Sequence, residues 1–188
     1  MSAFAAEVRL AGAHVALRPF QPDDAETLAA ALAAGEDFLP ANAPAGPAGV
    51  EWWLSEGVRQ VRTSGWGMHL AVIERATGTL AGTIGLFRAD WVACSAEVAY
   101  GVRPACRGRG HATDALRLLA RWTLREGGLR RVELRADTAN AASIRVAEKA
   151  GFRREGVLRQ VEAGPDGNRD QVVFSLIAAD LCPPGSPS

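Results

Sequence analysis

An α+β fold of three layers is predicted, with a mixed, mostly antiparallel sheet of about seven strands flanked by about four helices. Two observations carry this. Between Ser95 and Arg135 a strand, a glycine loop, an amphipathic helix and a second strand form a βαβ unit, whose strands run parallel. On both sides of it, short alternating runs joined by tight turns read as antiparallel hairpins. The 188 residues fit one domain, spanning 1–180, with a core that needs no staple. The tail 181–188, with Pro183, Pro184, Gly185 and Pro187, reads as disordered.

Each element has a local cause. His14 to Arg18 alternates apolar and polar residues and stops at Pro19, a short strand. Pro22-Asp23-Asp24 opens an alanine-rich helix reaching about Ala34. A Pro-, Ala- and Gly-rich loop from about Gly35 to Gly49 leads to a helix over Glu51–Thr63, carrying Trp52, Trp53, Leu54, Val58 and Val61. Met68–Glu74 and Thr79–Arg88 pair as a hairpin across Arg75-Ala76-Thr77-Gly78. Ser95–Val102 is the next strand. Arg109–Glu126 has a helical apolar stripe through Ala112, Leu116, Leu119 and Thr123, and Gly127-Gly128 stops it. Arg131–Arg135 is a strand, and Asn140–Lys149 a short helix ended by Gly151. Gly156–Val161 and Gln171–Ile177 close the chain as a hairpin across Gly164-Pro165-Asp166-Gly167.

Charge and cysteine content narrow the function. Twenty-one basic residues balance 21 acidic ones, so no general attraction to nucleic acid or membrane is expected. Arg103, Arg107, Arg109, Arg117, Arg121, Arg125, Arg130 and Arg131 nevertheless crowd a region whose acidic members are Asp114 and Glu126, a local anion field. Cys94, Cys106 and Cys182 lack metal-ligand spacing and read as free thiols; no metal is expected. With no signal peptide and no membrane-length apolar run, the chain is expected in the cytoplasm.

Arg107-Gly108-Arg109-Gly110-His111-Ala112 joins the central strand to the long helix. Glycines let backbone approach a ligand, and the helix start points N–H groups and its positive dipole end at the same place, a cradle for a pyrophosphate. A P-loop needs Lys and Ser or Thr after its last glycine, where this chain has His111. The dinucleotide fingerprint needs a third glycine, where Thr113 stands, and the acidic Glu133 falls inside the next strand.

Val102-Arg103-Pro104 followed by Arg107-Gly108-Arg109-Gly110-His111-Ala112 resembles the acetyl-CoA loop of the GNAT N-acetyltransferases, with signature Gln/Arg-x-x-Gly-x-Gly/Ala. Arg107, Gly110 and Ala112 take the matching positions. Asn140-Ala141-Ala142-Ser143 with Glu148-Lys149-Ala150-Gly151-Phe152 forms a second matching block. Together with Thr113-Asp114-Ala115-Leu116 it is similar to the RimJ/RimL branch, which acetylates ribosomal-protein N-termini and other amines.

The resemblance implies acetyl transfer from acetyl-CoA to a primary amine, on a small molecule or a protein N-terminus, by direct attack in a ternary complex. It implies pyrophosphate on the loop residues Arg107, Gly108, Arg109, Gly110, His111 and Ala112. The pantetheine arm would lie along a strand splayed from its parallel neighbour, at Tyr100, Gly101 and Val102, with Asn140 on the same arm. Glu97 is the first candidate for general base, expected beside an apolar pocket; Glu162 and Asp170 are alternatives. The tyrosine many members use for the leaving thiolate is Ala147 here, so Ser143 is the candidate donor. Asn140 and Ser143 also suit the first turn of a helix as capping residues. His14 and His69 read as ordinary strand residues, and Asp37, Phe38, Trp52 and Trp53 as candidate linings of the acceptor groove. Homodimers are common for this fold. The other reading is a catalytically silent acyl-CoA-binding or regulatory module.

Overall fold

The computed structural model describes residues 4, 7–36, 38–39, 46–165 and 167–181. Its strands are β1 (Leu10–Ala11), β2 (Val15–Arg18), β3 (Met68–Glu74), β4 (Leu80–Asp90), β5 (Ser95–Val102), β6 (Arg131–Asp137), β7 (Arg153–Glu162) and β8 (Arg169–Ile177). They form one sheet in the order β1-β2-β3-β4-β5-β6-β8-β7. Every neighbouring pair is antiparallel except β5 and β6, the two strands of the expected βαβ unit. Eight strands replace about seven because Leu10–Ala11, too short for any periodic signal, pairs with β2. The last hairpin is longer than expected: β7 begins at Arg153, and bulges near Gly156 and Gln160 break its alternation.

The helices are α1 (Asp24–Ala33), α2 (Pro47–Trp52), α3 (Val58–Thr63), α4 (His111–Arg125) and α5 (Ala141–Ala150). A π-helical turn over Trp53–Gly57 joins α2 and α3, so 47–63 is continuous and starts four residues before the expected Glu51. Pro47 supplies that start, since its missing N–H costs nothing in a helix's first turn.

Two apolar clusters define the layers. Leu17, Leu70, Ile84, Val98, Leu116, Leu119, Val132, Phe174 and their neighbours bury α4 and α5 on one sheet face. On the other face Leu28, Ala31, Phe38, Val50, Ala71, Ile73 and Leu80 pack α1 and α2. Three of the four predicted stripe residues of α4 are fully enclosed, Leu116, Leu119 and Thr123, with Ala115, Ala120 and Trp122 beside them, while Ala112 at the helix start is half-buried.

Asp114, in the first turn of α4, accepts backbone N–H bonds from His14 (2.7 Å) and Val15 (3.0 Å) and ties β2 to the helix. Hydrogen bonds to a charged group stabilise by about 1.5–3 kcal/mol each, so Asp114→Ala is expected to lose about 2 kcal/mol in urea unfolding. A loss below about 0.5 kcal/mol would show that water replaces the carboxylate.

Candidate active site

The site begins where the sheet opens. β5 pairs with β6 only at Ser95–Arg131, Ala96–Val132 and Glu97–Glu133. Beyond Glu97, β5 runs on to Val102 against β4, while β6 runs on to Asp137 against β8. The two parallel strands therefore diverge, and the β6-facing backbone of residues 98–102 has no strand to pair with. Backbone amides demand partners, and an amide-bearing ligand can provide them. Tyr100, Gly101 and Val102, the expected contacts of the pantetheine arm, lie on this free edge.

The glycine loop lies between the end of β5 and α4. Gly108 and Gly110 have φ of +77° and +82°, left-handed values that L side chains rarely adopt. A Cβ on Gly108 would meet nothing within 4 Å, and one on Gly110 only the His14 ring at 3.7 Å. Space is thus left on the ligand side of the turn. The first helical bond of α4 runs from the Asp114 N–H to the Gly110 carbonyl, at 3.0 Å. The N–H groups of His111, Ala112 and Thr113 consequently point out of the helix end, where the dipole favours an anion. These residues fit a diphosphate.

The loop side chains hold the turn rather than radiate from it. Arg107 Nε donates to the Val102 carbonyl at 3.0 Å. Glu74, at the end of β3, takes Arg109 Nη1 at 3.2 Å and faces His111 Nε2 at 3.3 Å. The Thr77 hydroxyl, then the Arg109 and His111 groups, hold the Glu74 carboxyl below the usual range against its own desolvation. The His111 side chain is buried, so the part of this residue that can reach a phosphate is its backbone N–H. Glu74 was invisible to motif reading, because its partners lie 35 and 37 positions away.

Asn140 caps α5 with its side-chain oxygen, accepting the Ser143 N–H at 3.0 Å. The Ser143 hydroxyl, which the cap does not involve, stands 3.0 Å from the Tyr100 hydroxyl. Tyr100 is the one tyrosine of the chain. Burial pushes its hydroxyl above the usual range, partly offset by Ser143, so it stays protonated. Glu97 lies on the face of β5 toward α1–α3. Its carboxylate is paired with Arg88 at 3.0 Å and Arg135 at 3.7 Å, a charged setting rather than the expected apolar one. Arg88 reaches it from a left-handed position (φ +51°) at the β4 bulge. Asp170 accepts the Gln160 N–H at 2.8 Å inside the last hairpin, a structural task, and Glu162 sits beside that hairpin's turn, opposite Arg169.

A small cavity of about 30 Å³ opens on the α1–α3 side of β5, lined by Leu39, His69, Thr83, Ile84, Gly85, Phe87, Ala99 and Tyr100. The chain leaving α1 roofs it. Thr83 Oγ1 donates to the Phe38 carbonyl, Arg103 makes a two-pronged pair with Glu36, and a Cβ on Gly101 would sit 1.9 Å from the Phe38 oxygen. Of the expected acceptor-groove residues, Phe38 and Trp53 are core, Trp52 is exposed, and Asp37 lies outside the described residues.

His69 was not expected here. It is 3% exposed, its Nε2 has no hydrogen-bond partner, and burial holds its pKa down to about 4. Its unfolded value is 6.5, so between pH 6.5 and 4 the unfolded chain takes a proton that the folded one refuses. Stability is therefore expected to fall by about 2 kcal/mol on going from pH 7 to pH 5 through this group alone. His69→Gln should remove that component, read as a smaller change in urea midpoint between the two pH values. An unchanged pH difference would refute it.

Among the described residues no group of three His, Cys, Asp or Glu side chains could hold a metal ion, and no helix is long and apolar enough to cross a membrane. A family model described as an acetyltransferase (GNAT) domain matches residues 14–153. This chain belongs to the GNAT acetyltransferases. YdaF of Bacillus subtilis, named "Putative ribosomal N-acetyltransferase", is 28% identical over 170 residues, 87% of this chain and 91% of that protein. YjcK of the same organism, named "Probable N-acetyltransferase", is 34% identical over 93 residues; that match spans 49% of this chain and only 51% of the relative. Mycobacterium smegmatis RimJ, solved in complex with CoA-disulfide, superposes with a TM-score of 0.79 at 23% identity, over 96% of this chain and 90% of that one. A RimL ribosomal L7/L12 acetyltransferase in complex with coenzyme A has a TM-score of 0.78 at 18% identity, over 90% and 98%. Those two likenesses are of fold.

Proposed function

We propose that the chain moves an acetyl group from acetyl-CoA to a primary amine by direct attack in a ternary complex, with a protein N-terminal α-amine as acceptor. The observation that carries it is the divergence of β5 from β6 next to an open, left-handed glycine turn at the start of α4. The sequence relative named for ribosomal N-acetylation supports the acceptor class, and the chain's zero net charge disfavours strongly cationic acceptors.

The backbone N–H groups of His111 and Ala112, with the turn of Arg107 to Gly110, hold the diphosphate; Tyr100 to Val102 and Asn140 hold the arm. The amine lone pair forms the new bond to the carbonyl carbon as the carbon–sulfur bond breaks, and the second nitrogen proton, shed as the amide forms, passes to water, from which the Tyr100 hydroxyl is restored. The departing sulfur takes its proton from Ser143, and the Tyr100 hydroxyl donates to Ser143 Oγ in turn, so the pair replaces the tyrosine missing at Ala147. Glu97 takes the ammonium proton before attack, through water. We place this activity in the cytoplasm and assign it to a homodimer, which sedimentation would report as twice the chain mass.

Purified protein mixed with acetyl-CoA and a panel of N-terminal peptides, polyamines and aminoglycosides tests the reading, with release of free CoA thiol as readout. Peptide acetylation is expected. Preference for a polyamine would overturn the acceptor class, and CoA binding without acetylation of any amine would favour the silent module.

A further inference from the structure

The small cavity beside β5 is lined by a buried side-chain nitrogen with unmet capacity. Thr83 spends its hydroxyl on the Phe38 carbonyl, and the Tyr100 hydroxyl goes to Ser143 on the opposite sheet face. His69 Nε2 is bonded to nothing. Its register decides where it looks. His69 pairs with Gly85 and Gly85 with Ala99, so the three form one row across β3, β4 and β5. Strands lie about 4.8 Å apart, so this row runs about 10 Å from the histidine backbone to the free edge of β5. Gly85 adds no side chain to that row and Ala99 only a methyl. A Cβ on Gly85 would sit 2.6 Å from His69 Nδ1, so the glycine is what lets the ring lie over β4 beside the cavity. Trp53, first residue of the π-helical turn, braces the ring from behind at 5.4 Å, and Phe20 braces Trp53 at 5.3 Å.

We propose that His69 receives the acceptor: its Nε2 accepts a hydrogen bond from the amino N–H and keeps the nitrogen lone pair turned toward the thioester at the β5 edge. This rests on the N-acetyltransferase reading above. A buried polar atom left unpaired is costly, and the incoming amine relieves it. The ring is neutral at physiological pH, so it can accept rather than repel. His69 thus takes a catalytic place that Glu97, held between two arginines, does not fill at the amine itself.

A conjugate of CoA joined through its sulfur to an acetamide of a short peptide places amide nitrogen where the amine would stand. In its crystal structure with this protein, that nitrogen is expected within about 3.2 Å of His69 Nε2. A bound conjugate whose nitrogen lies beyond about 4 Å, or bonds Glu97 instead, overturns this inference alone; failure of the conjugate to bind overturns the CoA reading with it. Kinetics give an independent arm. His69→Leu is expected to lower kcat/KM for the peptide about 100-fold while acetyl-CoA affinity stays within about threefold, and His69→Gln to recover at least about tenfold of that loss. Equal loss in both variants, or no loss in a folded His69→Leu, overturns it.

Discussion

Gly110→Val is expected to weaken acetyl-CoA binding by about 100-fold, or about 2.7 kcal/mol. Gly110 is the residue before α4 with φ +82°, and a β-branched side chain there is a steric outlier. The protein itself leaves the position open, its nearest atom to a Cβ being 3.7 Å away, so the clash falls on the ligand. Gly35 makes an internal control. It also has a positive φ (+71°), ends α1, and would meet nothing within 4 Å. Both variants should lose about 1–2 kcal/mol of stability from left-handed strain, but Gly35→Val should bind acetyl-CoA as the parent does. Titration calorimetry on the pair separates backbone strain from loss of the cradle. Wild-type affinity in a folded Gly110→Val would place the diphosphate elsewhere and remove the basis of the assignment.

Ser143→Ala is expected to lower kcat about 100-fold, the scale of a lost proton donor, with acetyl-CoA affinity within about threefold. Tyr100→Phe should do nearly the same, since the two hydroxyls stand 3.0 Å apart and the proposed mechanism uses them as one relay. The double variant is then expected to be little worse than either single one, because members of a unit are not additive. Burial holds Tyr100 protonated past its ordinary value of 10, so the relay predicts no alkaline fall in kcat below pH 10 from this tyrosine. Multiplicative losses would mean that the hydroxyls work separately. A fully active Ser143→Ala would leave the thiolate to depart without a proton from the protein.

Much of this architecture was legible from local pattern. The stripe of α4, the glycines before it and the Asn140 cap each act within a few residues, so their meaning survives without a fold. What escaped lacked a local signature: Leu10–Ala11 holds by pairing alone, and the bulges at Gly156 and Gln160 scramble the alternation that would have shown β7 starting at Arg153. β3 is buried along its whole length, so polarity could not tell which face His69 takes. Neither could it show that Arg109 in the glycine loop is paired with Glu74, or that Glu97 meets Arg88 and Arg135.

Chain order alone determined that a helix would start behind two glycines and that its flanking strands would be parallel, because glycine's missing Cβ and crossover handedness are local properties. Tertiary structure alone decided which hydroxyl meets which, since Tyr100 and Ser143 are 43 residues apart. It also decided that His69, Gly85 and Ala99 share a row, because register across three strands depends on bulges and pairings that no single segment encodes.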